Sequence, residues 1–486
     1  GTRNIAIGNY SLDALTSGDD NVAVGYDAMT ANSTGGANVA VGAYALDTNS
    51  TGDNNVAVGK VALGANTTGA GNTAVGYASL DANTTADNNT AVGLRALSAN
   101  TTGATNTAVG MNALILNSTA EYNTGIGAYA LAATTTGSYN TALGRSAGLA
   151  LTTGTRNVAI GVDTLKAVTT GTNNTAIGTN AAGATTGDDN VAVGKAALNA
   201  NTTGDNNVAI GVNALALSVG VDNSVAIGYD AGANTVVAGI VAIGKDALKA
   251  NTTGSVQVAI GHSAAKSNTT GQRNLAIGYR AYEGSDTEND NVAIGYHAMV
   301  TNTAGGTGNT AVGNYAGDEI TSGDFNTCVG MQSGGDVTSG VNCLLLGFEA
   351  GKSNSPAHTQ NGTNRIVLGN NDITHAYIKV DWTVTSDERD KMNFAEVPHG
   401  LSFVNDLKPI KFDFKKSRDG ETPHGKTKYG FKAQDILALE GDNPIIIDND
   451  NGDTLSMTNS HLIPVLVKAI QELSTKNDSL ETSNTA

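Results

Sequence analysis

The 486-residue sequence has little of what a conventional compact core requires. Aromatic residues make up 5% of the chain and charged residues 15%, and there are six prolines and two cysteines. All six prolines lie at or beyond Pro356, and five of the seven phenylalanines lie beyond residue 386. Most of the chain therefore lacks the large side chains of an ordinary core, and we expect its character to change between residues 355 and 385.

Basic clusters and long apolar runs are absent as well. The net charge is −17 and no basic run occurs, so we expect no nucleic-acid partner, because phosphate binding needs clustered lysine and arginine. No run approaches the roughly eighteen apolar residues that span a bilayer, so we expect no membrane insertion. The chain opens inside a repeat at Gly1 without a methionine, and we expect it to be part of a longer protein.

The two cysteines, Cys328 and Cys343, fall in neighbouring repeats but at different repeat positions. Two interpretations are open: a pair of small buried apolar side chains, or a disulfide. We expect no cofactor and no metal site, because no carboxylates recur in a fixed ligand geometry.

An internal repeat fills most of the chain. The pentad Asn-Val-Ala-Val-Gly recurs, and its second residue steps by seventeen from Ile5 to Thr175, then by sixteen to eighteen as far as Leu344. A last copy begins at Ile366 after an interval of twenty-two, which makes twenty-two copies. We therefore predict a mostly β protein, with a β-solenoid or β-roll over residues 1–369 in which each coil pairs with its neighbours.

Each repeat combines apolar alternation with turn chemistry. The alternation in Val22–Val24 predicts a strand that ends at Gly25, and the Ala45-Leu46 pair predicts a second short strand. The following Asn-Thr-Thr-Gly-Asp-Asn stretch supplies turns. At about 4.8 Å per coil, the stack would form a rod on the order of 100 Å long.

The middle residue of the pentad is alanine in eighteen copies. If the flanking Val and Ile side chains face the coil interior, this alanine points outward and forms a small apolar strip along the rod. Such strips mark association surfaces, so we expect a self-associating rod, with a homotrimer as the leading form. The alternative is that the alanine faces a thin second layer of its own coil.

The repeat resembles a known family at this point. Residues 223–228, Asn-Ser-Val-Ala-Ile-Gly, are similar to the inner-strand motif of trimeric adhesin heads, which are left-handed β-rolls packed three around an axis, and of bacteriophage tail fibres. The resemblance covers residues 1–369, although the period is longer than that usual in adhesin heads. It implies a host-surface receptor or glycan as a partner, and a place in a virion tail fibre or on an extracellular surface.

The last hundred residues have a different composition. There are 29 charged residues in positions 386–486 and 42 in the preceding 385. Strand-like alternation at Ile410, Phe412 and Phe414 is followed by a short helix at Ile436. Leu462, Leu466, Ala469 and Leu473 have the spacing of a helix seam. We predict a small α+β domain over residues 386–486 that ends in a coiled-coil helix, after a transition segment at 370–385.

Four motifs in this domain resemble the intramolecular chaperone of endosialidase, also described as a self-cleaving peptidase. They lie at residues 385–391, 407–414, 429–435 and 462–473. The sequence departs from the family at Lys432, where an aliphatic residue is usual.

This resemblance implies a domain that trimerises, templates the folding of the upstream fibre and then cuts itself off before its serine. The scissile bond would join Thr385 and Ser386, with Ser386 as nucleophile and Lys391 as general base, in one turnover with no external substrate. A lysine can act as a base where burial leaves it neutral. The alternative is that residues 385–388 form a helix capping box and Lys391 is solvated.

Three functions are open from the sequence. The leading hypothesis is a segment of a trimeric phage tail fibre or similar adhesin that is matured by self-cleavage. The second keeps the trimeric fibre but makes the domain a permanent, uncleaved cap. The third is a monomeric solenoid that binds glycan through tyrosines such as Tyr279 and Tyr296, or ice through its stacked Thr-Thr pairs.

Overall fold

The computed structural model describes residues 1–303, 305–379, 384–415, 420–449 and 455–484. They form two compact units: Gly1–Ala350 with Thr359–Ile366, and Gly351–His358 with Val367–Ala486. The predicted mostly β fold with a seventeen-residue solenoid repeat is confirmed. The boundaries 1–369, 370–385 and 386–486 stay predictions, and residues 380–383 of the transition segment lie outside the described residues.

Each copy of the repeat contributes one three-residue strand, and the twenty-two strands form a single sheet. Successive strands pair in parallel and in register, so that Val22 lies opposite Val39 and Ala23 opposite Ala40. The strands are β1 (Ile5–Ile7), β2 (Val22–Val24), β3 (Val39–Val41), β4 (Val56–Val58), β5 (Thr73–Val75), β6 (Thr90–Val92), β7 (Thr107–Val109), β8 (Thr124–Ile126), β9 (Thr141–Leu143), β10 (Val158–Ile160), β11 (Thr175–Ile177), β12 (Val191–Val193), β13 (Val208–Ile210), β14 (Val225–Ile227), β15 (Val241–Ile243), β16 (Val258–Ile260), β17 (Leu275–Ile277), β18 (Val292–Ile294), β19 (Thr310–Val312), β20 (Thr327–Val329), β21 (Leu344–Leu346) and β22 (Ile366–Leu368).

The alanine at the centre of each strand faces the coil interior, so the expected outward alanine strip is wrong. Ala23, Ala40 and Ala57 have no exposed surface, whereas the residues that flank them are partly exposed. The interior is narrow at β8, where even a methyl group would be closely packed. A Cβ atom on Gly125, which takes the alanine position in β8, would lie 3.3 Å from the Ala130 carbonyl oxygen. The alternative reading, alanine within its own coil, is the correct one.

The predicted second strand of each coil is also wrong. Ala62 and Leu63 are consecutive and both fully buried, which a strand does not allow because its side chains alternate between faces. Leu63 has a φ of 52° and Val61 a φ of 55°, so the backbone alternates into the left-handed region and curls tightly. This turn directs both apolar side chains inward and closes the coil.

Buried asparagines link the coils along the inside of the solenoid. The Asn89 backbone N–H donates to Asn72 Oδ1 at 3.0 Å, and the Asn106 N–H donates to Asn89 Oδ1 at 2.9 Å. The Asn89 side-chain amide donates to the Gly103 carbonyl at 3.0 Å. The side chain of the pentad asparagine therefore satisfies two buried backbone groups, the N–H of the asparagine in the next repeat and the glycine carbonyl three residues before it.

Replacing Asn89 with alanine is expected to destabilise the solenoid by about 2–4 kcal/mol. The change leaves the buried Asn106 N–H and Gly103 carbonyl without partners, and each orphaned group costs roughly 1–3 kcal/mol. Thermal unfolding followed by circular dichroism measures the loss. Asn9→Ala is the control, because Asn9 is exposed; equal stability of the two variants would contradict the structural role of the buried amide.

One coil near the end of the solenoid carries a buried carboxylate. Glu288 is 3% exposed and accepts hydrogen bonds from the Ser285 hydroxyl at 2.6 Å and from the Thr287 and Gly305 N–H groups at 3.0 Å. The hydrogen bond from Gly305 joins Glu288 to the next coil, in which the step from Val292 to Thr310 is eighteen residues long. Burial acts to raise the pKa of Glu288, but the hydrogen bonds outweigh it and the pKa lies below its usual value.

The solenoid is therefore expected to lose stability as the pH falls below about 4.3, the ordinary glutamate value. A carboxyl whose folded pKa is depressed stabilises the fold above its unfolded pKa, and this contribution disappears as pH falls through the folded pKa. Glu288→Gln should flatten the acid limb of a plot of unfolding temperature against pH. The exposed Glu319→Gln is the control, and an unchanged acid limb in Glu288→Gln would contradict the assignment.

Both cysteines are buried and neither forms a disulfide. Cys328 takes the interior alanine position of β20, where burial, with Cys343 nearby, raises the pKa of its thiol to about 12. Cys343 takes the pentad asparagine position, and its N–H donates to Asn326 Oδ1 at 3.0 Å. The interpretation as two small buried side chains is confirmed.

The second unit is a small α+β domain, as predicted. Its elements are α1 (Leu401–Asp406), β23 (Ile410–Lys415), β24 (Pro423–Gly430), α2 (Ala433–Glu440), β25 (Ile447–Asp448), β26 (Ser456–Met457) and α3 (Leu462–Asn484), with 3₁₀ turns at Glu388–Asp390 and Asn459–His461. β23 and β24 form an antiparallel hairpin with a bulge between Phe412 and Phe414. The core packs α1, α2 and α3 together through Phe403, Ile436 and Val465.

Candidate self-cleavage site

The predicted nucleophile and base meet in the structure. The 3₁₀ turn at Glu388–Asp390 folds the chain back between them, and Lys391 Nζ donates to Ser386 Oγ at 2.6 Å. A protonated amine donates in this contact. A neutral amine would accept the serine proton across the same distance, which is the geometry a general base requires.

The capping residue of this turn is Asp387 and not Thr385. Asp387 Oδ1 accepts the Arg389 backbone N–H at 2.9 Å, and the Arg389 guanidinium pairs with the same carboxylate at 2.6 Å. The hydrogen bond from the Arg389 side chain, together with the one from its backbone, lowers the pKa of Asp387. The structure therefore has no capping box at residues 385–388. Asp387 caps the turn instead, and the Ser386 hydroxyl contacts Lys391.

The serine–lysine pair lies on an open surface of the chain. Every described residue from 384 to 396 is exposed, Ser386 and Lys391 included. The burial that would favour a neutral lysine is not supplied by one chain, so an enclosed site would need a covering surface from elsewhere.

The C-terminal helix has two apolar faces, and the predicted seam at Leu462, Leu466, Ala469 and Leu473 contains residues of both. The first face, which includes Leu462 and Ala469, is buried in the domain. The second face is exposed, with Ile470 at 66% and Leu473 at 53%. Its members are Ile463, Leu466, Ile470, Leu473 and Leu480, which occupy the a and d positions of a heptad over the length of α3.

Polar residues on α3 continue the heptad beyond Ser474. Asn477 takes the third a position, seven residues after Ile470, while Lys476 and Glu481 take the g and following e positions. In a parallel pair of such helices Lys476 faces Glu481 of the other copy, whereas antiparallel pairing brings like charges together. The seven-residue spacing was visible in the sequence, but the apolar residues of the buried face obscured it.

An exposed apolar strip is present on the solenoid, although alanine does not form it. The first and third residues of each strand point outward, and Ile177, Ile210 and Ile227 are each more than a third exposed. Because the strands stack in register, these Val, Ile and Thr side chains follow the whole sheet. The strip is broader than an alanine strip and could bury more apolar area.

The features suggested for glycan or ice binding are engaged within the solenoid. The Tyr279 and Tyr296 rings stack on each other with centroids 5.3 Å apart and planes at 11°, so each covers a face of the other. In the Thr-Thr pairs, the first hydroxyl is used internally, as where Thr67 donates to the Thr84 carbonyl at 2.9 Å.

The chain thus combines a parallel β-solenoid with a small α+β domain in which Ser386 and Lys391 are in contact. Residues 386–442 match the family model described as chaperone of endosialidase. The match agrees with the predicted resemblance and contains the motifs at 407–414 and 429–435. The chain matches no curated protein. Within the described residues no helix has the length and apolarity to cross a membrane.

Proposed function

We propose that the chain is a segment of a phage tail fibre or similar surface adhesin whose C-terminal domain assembles three copies and then cuts itself off. The observation that carries this proposal is the contact between Lys391 and Ser386 at the first residues of the matched domain. A fibre of this kind belongs to a virion or to an extracellular surface and meets a host receptor or glycan there.

The cleavage step uses groups of the chain alone. Ser386 Oγ attacks the carbonyl carbon of Thr385 while Lys391 accepts the hydroxyl proton, and the amide nitrogen of Ser386 leaves as an amine after it receives that proton. The Thr385 acyl group is then an ester on Ser386. Water hydrolyses the ester, which leaves a carboxylate on Thr385 and restores the hydroxyl.

Self-association is supported by two exposed apolar surfaces. The a and d positions of α3 offer a seam about 34 Å long, at 1.5 Å per residue for the 23 residues of the helix. The outward Val and Ile side chains offer a second surface along the sheet. Ser386 and Lys391 are exposed in the single chain, and cleavage would follow assembly if the other copies cover this pair as well.

A repetitive solenoid needs a domain of this kind to set its register. A slip by one whole repeat keeps every side chain on its own face, so the coils themselves discriminate poorly between correct and shifted pairing of three chains. A domain that aligns the three chains at the same repeat would remove this ambiguity. Removal of the domain afterwards leaves the fibre kinetically trapped.

A permanent cap is the second candidate function, and the open surface around Lys391 favours it. One measurement separates the two: the native mass by light scattering, together with the chain mass on a denaturing gel. The proposal predicts a trimer built from chains shorter than 48.9 kDa. A trimer of intact chains would support the cap, and a monomer would contradict both.

A further inference from the structure

The C-terminal unit contains a cavity of about 620 Å³. One wall is formed by Asn370, Asn371, Ile373 and Thr374, in the segment that follows the last strand of the solenoid. The other wall is the β23–β24 hairpin with Leu455 and Ser456. Thr374 lies against the hairpin, since a Cβ atom on Gly425 would be 3.6 Å from its methyl group.

The hairpin wall is cationic. His424, Lys426 and Lys428 all line the cavity, in the part of β24 where the pairing with β23 shifts register. Lys428 Nζ lies 5.1 Å from the centre of the Phe414 ring, which holds the ammonium over the aromatic face. Lys415, the fourth basic residue, is paired with Glu421 at 3.1 Å.

Among the residues that the structure describes, the lining of the cavity supplies no acidic partner for Lys426 or Lys428. None of the described residues that line it carries a carboxylate, although the chain as a whole has a net charge of −17. His424 Nε2 is buried and has no hydrogen-bond partner among the described residues. Asn371, Thr374 and Ser456 add neutral hydrogen-bonding groups to the same lining.

From this arrangement we infer that the cavity binds an oxyanion, as phosphate, sulfate or a carboxylate. Lys426 and Lys428 supply charge-assisted hydrogen bonds and His424 a ring N–H, which are the donors that such anions accept. Phe414 is half exposed beside them and can contact an apolar body, such as a sugar ring that carries the anionic group.

The site has a consequence for maturation that rests on the proposed function. The 370–374 wall precedes the bond between Thr385 and Ser386, and the hairpin wall follows it. A bound anion would therefore contact both products of cleavage and slow their separation. Hydrolysis and release of the domain are then two distinct steps.

The test uses full-length Ser386→Ala protein, so that binding is measured whether or not the wild type cleaves itself. Isothermal titration with inorganic phosphate, sulfate and glucuronate should show binding that weakens with added sodium chloride, while neutral glucose shows none. The double variant Lys426→Gln, Lys428→Gln should lose about tenfold or more in affinity, and Lys476→Gln on α3 should not. Tighter binding of glucuronate than of phosphate would identify an acidic saccharide as the source of the anion, and the reverse order a free anion.

No binding in any arm, or equal affinity in the double variant, would overturn the proposal. Circular dichroism checks that the double variant is folded, and His424→Gln provides a second, single test if it is not. A separate arm follows release: gel filtration of cleaved wild type with and without phosphate. Binding without an effect on release would leave the anion site standing and would overturn only its role in maturation.

Discussion

Ser386→Ala protein is expected to remain at full length on a denaturing gel, while wild type separates into two chains that end and begin at the bond between Thr385 and Ser386. Alanine removes the oxygen that attacks the carbonyl carbon, and the loss of such a group lowers the rate by about 10³-fold or more. Mass spectrometry of the wild-type fragments fixes the bond that is cut.

The lysine has its own diagnostic variant. Lys391→Arg keeps a positive charge and can donate to Ser386 Oγ, but a guanidinium does not become neutral in proteins and cannot act as a base. Cleavage should therefore stop in Lys391→Arg, although the fold is kept. Ser402→Ala, in α1, is the control and should cleave normally. Continued cleavage in Lys391→Arg would contradict the role of the lysine as a base and leave it a structural partner.

The double variant Ile470→Lys, Leu473→Lys is expected to abolish assembly, with a native mass that falls to that of one chain. It places charges at adjacent a and d positions of the α3 seam, where two to three copies of each would be buried against one another. Both residues are exposed in the single chain, so the isolated domain should stay folded. Light scattering measures the mass, and circular dichroism the fold.

Thr475→Lys is the matched control because Thr475 lies at an f position, away from the seam, on the same helix. Its assembly should be unchanged. If cleavage depends on coverage by other copies, the seam variant should also remain full length, and the Thr475 variant should be cut. Assembly of the seam variant at the wild-type mass would contradict the assignment of α3 as the association surface.

Asn477 makes a finer prediction about the same seam. A polar residue at one a position specifies register and oligomeric number at some expense of stability. Asn477→Ile should therefore raise the unfolding temperature of the assembly and yield more than one oligomeric species. Light scattering coupled to gel filtration would detect the mixture, and a single species of unchanged mass would contradict a register role.

The repeat could be predicted from the sequence because its period fixed both the strands and their pairing. The direction of the side chains could not. Period-two alternation shows that Val22 and Val24 share a face and that Ala23 takes the other, but it does not say which face is inside. That is decided by the turn at residues such as Ala62 and Leu63, whose buried side chains fill much of the interior and leave a small space beside the strand in most coils.

The residues of the candidate site, Ser386 and Lys391, could be predicted from the sequence, but their exposure could not. A five-residue separation between Ser386 and Lys391 suits neither a strand nor a regular helix face, and it took the 3₁₀ turn capped by Asp387 to bring the two atoms together. The exposure of Ser386 and Lys391 depends on which surfaces of the domain are buried, and that is a property of the folded chain that the motif does not specify. The seam of α3 was misassigned for a related reason, since Leu462 and Leu466 belong to different faces of one helix.

The asparagine links inside the solenoid have a consequence for how the length of such solenoids changes in evolution. At most joints the pentad residue is an asparagine that forms the same kind of bonds to its neighbours, as Asn89 does, so coils that carry this asparagine can be made neighbours without loss of a buried partner. Ser224, Ile240, Gln257 and Cys343 replace it at four joints before the last copy. Gain or loss of one whole unit then leaves the joints intact. The length of the solenoid is thereby open to evolution through in-frame duplication and deletion of seventeen codons, while the domain that follows it stays the same.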